Sequence, residues 1–136
     1  MNGPSFLASS LLVASGGAVG AWLRYVFGRA TAGMIGASAA AAFPWATLAI
    51  NLIGSFAMGL LAGRLATYGP EGESLRLALG VGVLGGFTTF SAFSLETVAL
   101  AQRGAIGLAA LYAGISLIGG IAGLIAGLAI MRGTTA

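Results

Sequence analysis

The sequence contains no cysteine and no histidine. Without cysteine the chain can form no disulfide, and without either residue it lacks the usual ligands of soft metals. Histidine is also the commonest general base in enzymes. Aspartate is absent as well, so the acidic side chains are limited to Glu71, Glu73 and Glu96. These absences argue against an enzyme.

Charged residues are scarce, at 7% of the 136 residues, whereas apolar residues reach 58%. A soluble domain carries about 25% charged residues. This composition cannot cover a surface that faces water, so we expect the outside of the protein to face lipid. The six basic residues are all arginine and are scattered, so they form no basic stripe of the kind that binds nucleic acid.

Four stretches have the roughly 20 mainly apolar residues that a helix needs to cross a membrane. We predict a single all-α domain over residues 1–136, with helices at about 6–27, 45–66, 75–101 and 105–131. The first stretch lacks the basic start and short apolar core of a cleavable signal peptide, so we expect it to be retained. A segment rich in Gly and Ala, residues 29–42, connects the first two helices.

The arginines give almost no orientation signal. Four spans place both termini and the central loop on one side, together with Arg64, Arg76 and Arg132. The other side has Arg29 and Arg103, or three arginines when Arg24 is included. Because Lys/Arg bias sets topology, this balance predicts insertion in both orientations and pairing as an antiparallel dimer. Uniform orientation by a single extra charge is the alternative.

Two spans carry polar side chains at helical spacing, and such groups need partners in lipid. The second span places them every four residues, at Thr47, Asn51 and Ser55. The fourth span places Tyr112 and Ser116 in the same way, followed by Gly120. Such stripes either bond neighbouring helices or line a wet pore. Asn51 is the strongest candidate, because a buried amide needs several partners.

The third span is interrupted by Gly85-Gly-Phe-Thr-Thr-Phe-Ser91. Two glycines weaken a helix and hydroxyls bond freed backbone groups, so we predict a break near residues 85–91. Unpaired carbonyls at membrane depth are tolerated only where protein, water or an ion satisfies them. Carbonyls at such a break suit a hard cation. A kinked but dry helix is the alternative.

Four further residues of the predicted spans each have more than one possible role. Phe90 and Phe93 share a helix face, where they either pack or present the positive edges of their rings to a small anion. Glu96, one turn farther on, couples to protons, faces a water-filled mouth or pairs with an arginine. Arg24 either snorkels to the surface or attracts anions at a pore mouth.

Three motifs together resemble the Fluc (CrcB-type) fluoride channels. They are Gly16-Gly-x-x-Gly-Ala-x-x-Arg-Tyr25, Thr47-Leu-x-x-Asn-x-x-Gly-Ser55, and Gly85-Gly-Phe-Thr-Thr-Phe-Ser-x-Phe-Ser94 followed by Glu96-Thr97. The third motif is highly specific. The resemblance implies passive, fluoride-selective export that lowers cytoplasmic fluoride. It also implies a dual-topology antiparallel homodimer in a bacterial cytoplasmic (inner) membrane.

The resemblance further implies roles for single residues. The backbone carbonyls of Gly85 and Thr88 would hold a central sodium ion that is structural and not transported. The implied fluoride pathway comprises Asn51, Phe90, Phe93, Tyr112 and Ser116, with hydroxyls of Thr89 and Ser91 beside the break. Arg24 matches the arginine of the family's first helix, and it and Glu96 are assigned to the vestibule or the framework. Gly120 departs from the family, whose polar track often continues with a hydroxyl; water or a neighbouring threonine would replace it.

The main alternative function is a small four-helix, dual-topology multidrug exporter. That transport cycle depends on an acid deep in the first helix, and the first span here contains none. A scaffold packed on glycines would not need the Thr-Thr-Phe-Ser break. An intramembrane enzyme is disfavoured because a lone Glu96 with serines is no catalytic set.

Overall fold

Four long apolar helices make up most of the computed structural model, which describes residues 4–133. The spans are Phe6–Ile35, Trp45–Leu65, Glu73–Gln102 and Ile106–Gly133. They confirm the predicted all-helical membrane architecture with a third helix that is bent in its middle. Residues 1–3 and 134–136 of the predicted domain lie outside the described part.

The first helix is longer than predicted. Helix α1 covers Phe6–Ile35, so the predicted end near residue 27 is wrong. Alanine is the best helix former, and the Gly- and Ala-rich segment continues the helix until Gly36, whose φ of 83° suits glycine at a helix end. A short helix, α2 (Ala37–Ala42), follows and ends at Phe43, whose extended backbone precedes a proline.

The second span is helix α3 (Trp45–Leu65), and a 3₁₀ turn at Gly69–Gly72 leads to the third. The third span begins as α4 (Glu73–Leu75), widens into a π-helix over Arg76–Leu84 and returns to α-helix as α5 (Gly85–Phe87). After the break it continues as α6 (Phe90–Gln102). Helix α7 (Ile106–Gly133) is the fourth span.

The break lies within the predicted segment, residues 85–91, but it is narrower than predicted. Gly85 and Gly86 are helical, so the expectation that they unwind is wrong. Only Thr88 and Thr89 leave the helix, with ψ values of 159° and 124°. Gly86 instead serves close packing, because a Cβ atom there would lie 2.5 Å from the carbonyl oxygen of Gly17 on α1.

Glycines bring the spans together in two pairs. Helix α1 packs on the π-helix and α5, and α3 packs on α7. A Cβ atom at Gly20 would collide with the carbonyl of Val83, and one at Gly59 with that of Leu124. These glycines therefore allow close contact between helices of the same subunit. Outside these contacts the spans are largely uncovered, with only 6% of the most apolar part of α7 buried.

Candidate functional site

Asn51 on α3 uses its side-chain amide to hydrogen-bond the backbone of the third span at the break. Its Oδ1 accepts the amide proton of Thr89 at 2.9 Å, and its Nδ2 donates to the carbonyl of the same residue at 3.0 Å. An extended residue cannot satisfy its backbone within a helix, so the amide side chain supplies both partners. Asn51 thus fixes the bend, and its second amide hydrogen remains available to another acceptor.

Two carbonyls at the break lose their helical donors. In a continuous α-helix the amide of Thr89 would bond the Gly85 carbonyl, but here it bonds Asn51. The amide of Ala92 donates to the Thr89 hydroxyl at 3.2 Å and caps α6, instead of bonding the Thr88 carbonyl. These are the two carbonyls to which the resemblance assigned sodium.

Arg24 approaches the same place from α1. Its Nη1 lies 3.4 Å from the carbonyl oxygen of Thr88, a long hydrogen bond. The guanidinium therefore sits against the centre of the third span and is partly buried. The Thr88 hydroxyl turns away and donates to the Leu84 carbonyl at 2.9 Å.

A cavity of about 340 Å³ opens beside the break, between α3, α6 and α7. Six of the predicted site residues line it: Asn51, Thr88, Thr89, Phe90, Phe93 and Ser116. No charged side chain is among its lining residues. Helix α6 begins at this cavity, so the positive end of its dipole faces the space. The hydroxyl of Ser116 is buried and has no hydrogen-bond partner within the described residues.

Ser91 lies outside this lining. Its hydroxyl is 3.3 Å from that of Thr89, on an exposed part of α6. Ser55 on α3 does line the cavity, although the resemblance assigned it no role. The four-residue spacing from Asn51 was the available signal, since it puts both side chains on one face of α3.

A row of aromatic rings leads from the cavity along α6. The ring centroids of Phe90 and Phe93 are 5.7 Å apart, and those of Phe93 and Tyr112 are 5.1 Å apart. Phe43 then meets Tyr112 edge to face at 5.5 Å. Phe90 is 79% exposed, whereas Tyr112 is fully buried. The row therefore begins on the open surface of the subunit and ends in its core.

Glu96 occupies the far end of this row. Its carboxylate accepts hydrogen bonds from the Thr47 hydroxyl and the Tyr112 hydroxyl, both at 2.8 Å. Glu96 and Thr47 also line a second cavity of about 100 Å³ between α1, α2 and α3. Of the partners considered from the sequence, no arginine pairs with Glu96 in the described part of the chain. Within those residues no cluster of three or more His, Cys, Asp or Glu side chains exists.

The chain matches one protein family over most of its length. The family profile described as CrcB-like protein, Camphor Resistance (CrcB), covers residues 11–128. A relative from Novosphingobium aromaticivorans is 60% identical, over 93% of this chain and 98% of its own length. Relatives from Erythrobacter litoralis and Rhodospirillum centenum are 51% and 50% identical, over 93% and 90% of this chain and 93% and 94% of their own lengths. All three carry the name fluoride-specific ion channel FluC.

Proposed function

This chain belongs to the CrcB-like family of fluoride-specific ion channels, and we propose that it passively conducts fluoride out of the cell and so lowers the cytoplasmic fluoride concentration. The observation that carries the proposal is the cavity beside the break. It is lined by uncharged hydroxyl, amide and aromatic groups, and its buried Ser116 hydroxyl lacks a partner. A small anion that accepts hydrogen bonds would supply that partner.

The chemistry of this lining suits fluoride. Removing water from a small, strongly hydrated anion is costly unless other donors replace the water. Ser116 and the second amide hydrogen of Asn51 provide neutral donors, and the rings of Phe90 and Phe93 can add their positive edges. A pore must bind an ion well enough to admit it but weakly enough to release it. Neutral donors in series satisfy that requirement better than a buried cation.

Ion efflux from liposomes tests this function. Vesicles that contain the purified protein should release fluoride and retain chloride. The few hydrogen-bond donors of the cavity can replace the hydration shell of the small fluoride ion, but they replace that of the larger chloride ion less well. Protein-free vesicles under the same gradient provide the background rate. A correctly folded preparation that releases no fluoride above this background would overturn the proposal.

The exporter alternative is not supported. Helix α1 contains no acidic residue, and the relatives are named as ion channels. Nor is the protein an enzyme, since the family to which it belongs consists of channels.

We propose further that two copies pair in antiparallel fashion in the bacterial inner membrane. Arg24 contacts the middle of the third span, so it does not count toward either side, and the arginines divide three against two. The exposed ring of Phe90 and the uncovered spans offer surface for a second copy.

Light scattering should give the mass of two chains, and tags at either terminus should be accessible from both sides. The mass of a single chain would contradict the dimer, and tags reachable from one side only would contradict insertion in both orientations.

A sodium ion between the two copies fits the residues at the break. Hard cations prefer oxygen ligands, and Gly85 and Thr88 present carbonyls that have lost their helical donors. The contact from Arg24 is long, and a carbonyl oxygen has a second lone pair for another partner. We propose that these carbonyls hold a structural sodium ion that is not transported.

Removing sodium should lower the stability of the protein. A ligand at 100 times its dissociation constant stabilises the folded state by about 2.7 kcal/mol. The melting temperature should therefore be higher in sodium chloride than in N-methylglucamine chloride at equal ionic strength. Identical melting curves in the two salts would contradict the sodium site while leaving fluoride conduction intact.

A further inference from the structure

The hydroxyls of the membrane helices differ in how their donors are satisfied. Four of them donate to the carbonyl four residues earlier in their own helix, at distances of 2.7 to 2.9 Å: Ser10, Ser15, Ser94 and Thr97. This is the ordinary way for a helical serine or threonine to satisfy its donor. Ser55 and Ser116 do not use it. Neither hydroxyl has a hydrogen-bond partner among residues 4–133, and both line the cavity beside the break.

The two uncommitted hydroxyls come from facing helices. Ser116 lies on α7, and the next position on the same face of that helix is Gly120. A Cβ atom built at Gly120 would lie 3.3 Å from Oγ of Ser55, and no atom of another helix would approach it more closely. The Ser55 hydroxyl on α3 therefore stands where a side chain at position 120 would reach.

From this placement we propose that Ser55 donates a hydrogen bond to fluoride, and that it replaces the α7 hydroxyl that Gly120 does not supply. The inference rests on the proposed fluoride conductance. It replaces the earlier expectation that water or a threonine completes the track. An anion moving along α7 from Ser116 to the position of Gly120 would meet the Ser55 hydroxyl there, because that hydroxyl lies beside Gly120 and lines the same cavity as Ser116.

The absence of an intrahelical bond makes Ser55 suited to this task. A hydroxyl that donates to its own helix must break that bond before it can serve an ion. Ser55 and Ser116 have no such bond to break, so they can turn toward an anion without losing a partner. Two donors of this kind on opposite walls can share one ion.

Moving the hydroxyl from α3 to α7 provides the test. Ser55→Ala should slow fluoride efflux from liposomes about tenfold, since a hydrogen bond to a charged group is lost. Adding Gly120→Ser to that variant returns a hydroxyl to the same place, where the missing Oγ of residue 55 leaves room for it. The double variant should recover at least half of the lost rate. The matched control, Ser55→Ala with Gly120→Ala, adds the same Cβ atom without a hydroxyl and should stay slow.

The outcomes separate this inference from the function on which it rests. Wild-type protein without fluoride efflux would remove both. Efflux by wild type with an unchanged rate in Ser55→Ala would overturn the role of Ser55 alone. So would a slow Ser55→Ala variant that Gly120→Ser rescues no better than Gly120→Ala. Gel-filtration profiles and melting temperatures of all variants show whether a loss of rate reflects misfolding, and a slow variant that elutes and melts like wild type supports the donor role.

Discussion

Asn51→Asp is expected to abolish fluoride efflux, with a fall in rate of about a thousandfold. The substitution keeps an oxygen that can accept the amide proton of Thr89, but it replaces the Nδ2 donor that holds the Thr89 carbonyl. Two oxygens would then face each other at the break. The new negative charge also faces the cavity, and two like charges 4 Å apart repel by about 4 kcal/mol at an effective dielectric of 20. Each 1.4 kcal/mol corresponds to tenfold, which gives the thousandfold figure.

The control for this change is Gln102→Glu. It makes the same conversion of amide to carboxylate at the exposed end of α6, where no bond to the break is affected. Efflux should stay within about twofold of wild type. Asn51→Ala separates the two effects, since it removes the clamp but introduces no charge, and it should fall between the two. If Asn51→Asp conducted as well as Gln102→Glu, both the clamp and the position of Asn51 on the anion path would be refuted.

The spacing of polar residues on α3 predicted part of the environment of Asn51. The four-residue spacing of Thr47, Asn51 and Ser55 correctly indicated a shared face of α3. It did not reveal that Asn51 bonds the backbone of Thr89, because that contact spans 38 positions of the chain. Hydropathy likewise identified four spans, since span length and apolar content are local properties.

The break itself shows where local rules failed. Gly85 and Gly86 suggested unwinding because glycine is a poor helix former. In the packed protein they remain helical, and Gly86 is needed where α5 meets α1. The chain leaves the helix at two threonines instead, because Asn51 and the Thr89 cap offer the freed backbone groups other partners. Hydropathy predicts a membrane helix over Arg76–Leu84 but does not distinguish a π-helix from an α-helix.

The hydrogen-bond partners of Glu96 also could not be predicted from the sequence. The sequence left three roles open: proton coupling, a wet mouth or an ion pair with arginine. The structure places two neutral hydroxyl donors on its carboxylate, Thr47 and Tyr112, at separations of 49 and 16 residues along the chain. Only the packing of α3, α6 and α7 brings these three groups together. Glu96 thus connects the end of the aromatic row to the framework of the bundle.

Glu96→Ala should therefore destabilise the protein strongly. The change leaves the hydroxyls of Tyr112, which is fully buried, and Thr47, which is 8% exposed, without their acceptor. Each unsatisfied buried group costs about 1–3 kcal/mol. A cost of this size lowers the melting temperature by about 10 °C in a chain of this length. Fluorescence-monitored thermal unfolding in detergent measures the shift.

Two further variants identify the cause of this loss. Glu96→Gln keeps a carbonyl oxygen as an acceptor for one hydroxyl, and its amide can donate to the other, so its melting temperature should fall by less than half as much. Glu71→Ala removes an equal side chain from an exposed turn and should leave the melting temperature unchanged. If Glu96→Gln were as unstable as Glu96→Ala, the negative charge itself would be required, and acceptance of two hydrogen bonds would not explain the role of Glu96. Equal melting of Glu96→Ala and Glu71→Ala would show that the two buried hydroxyls find other partners.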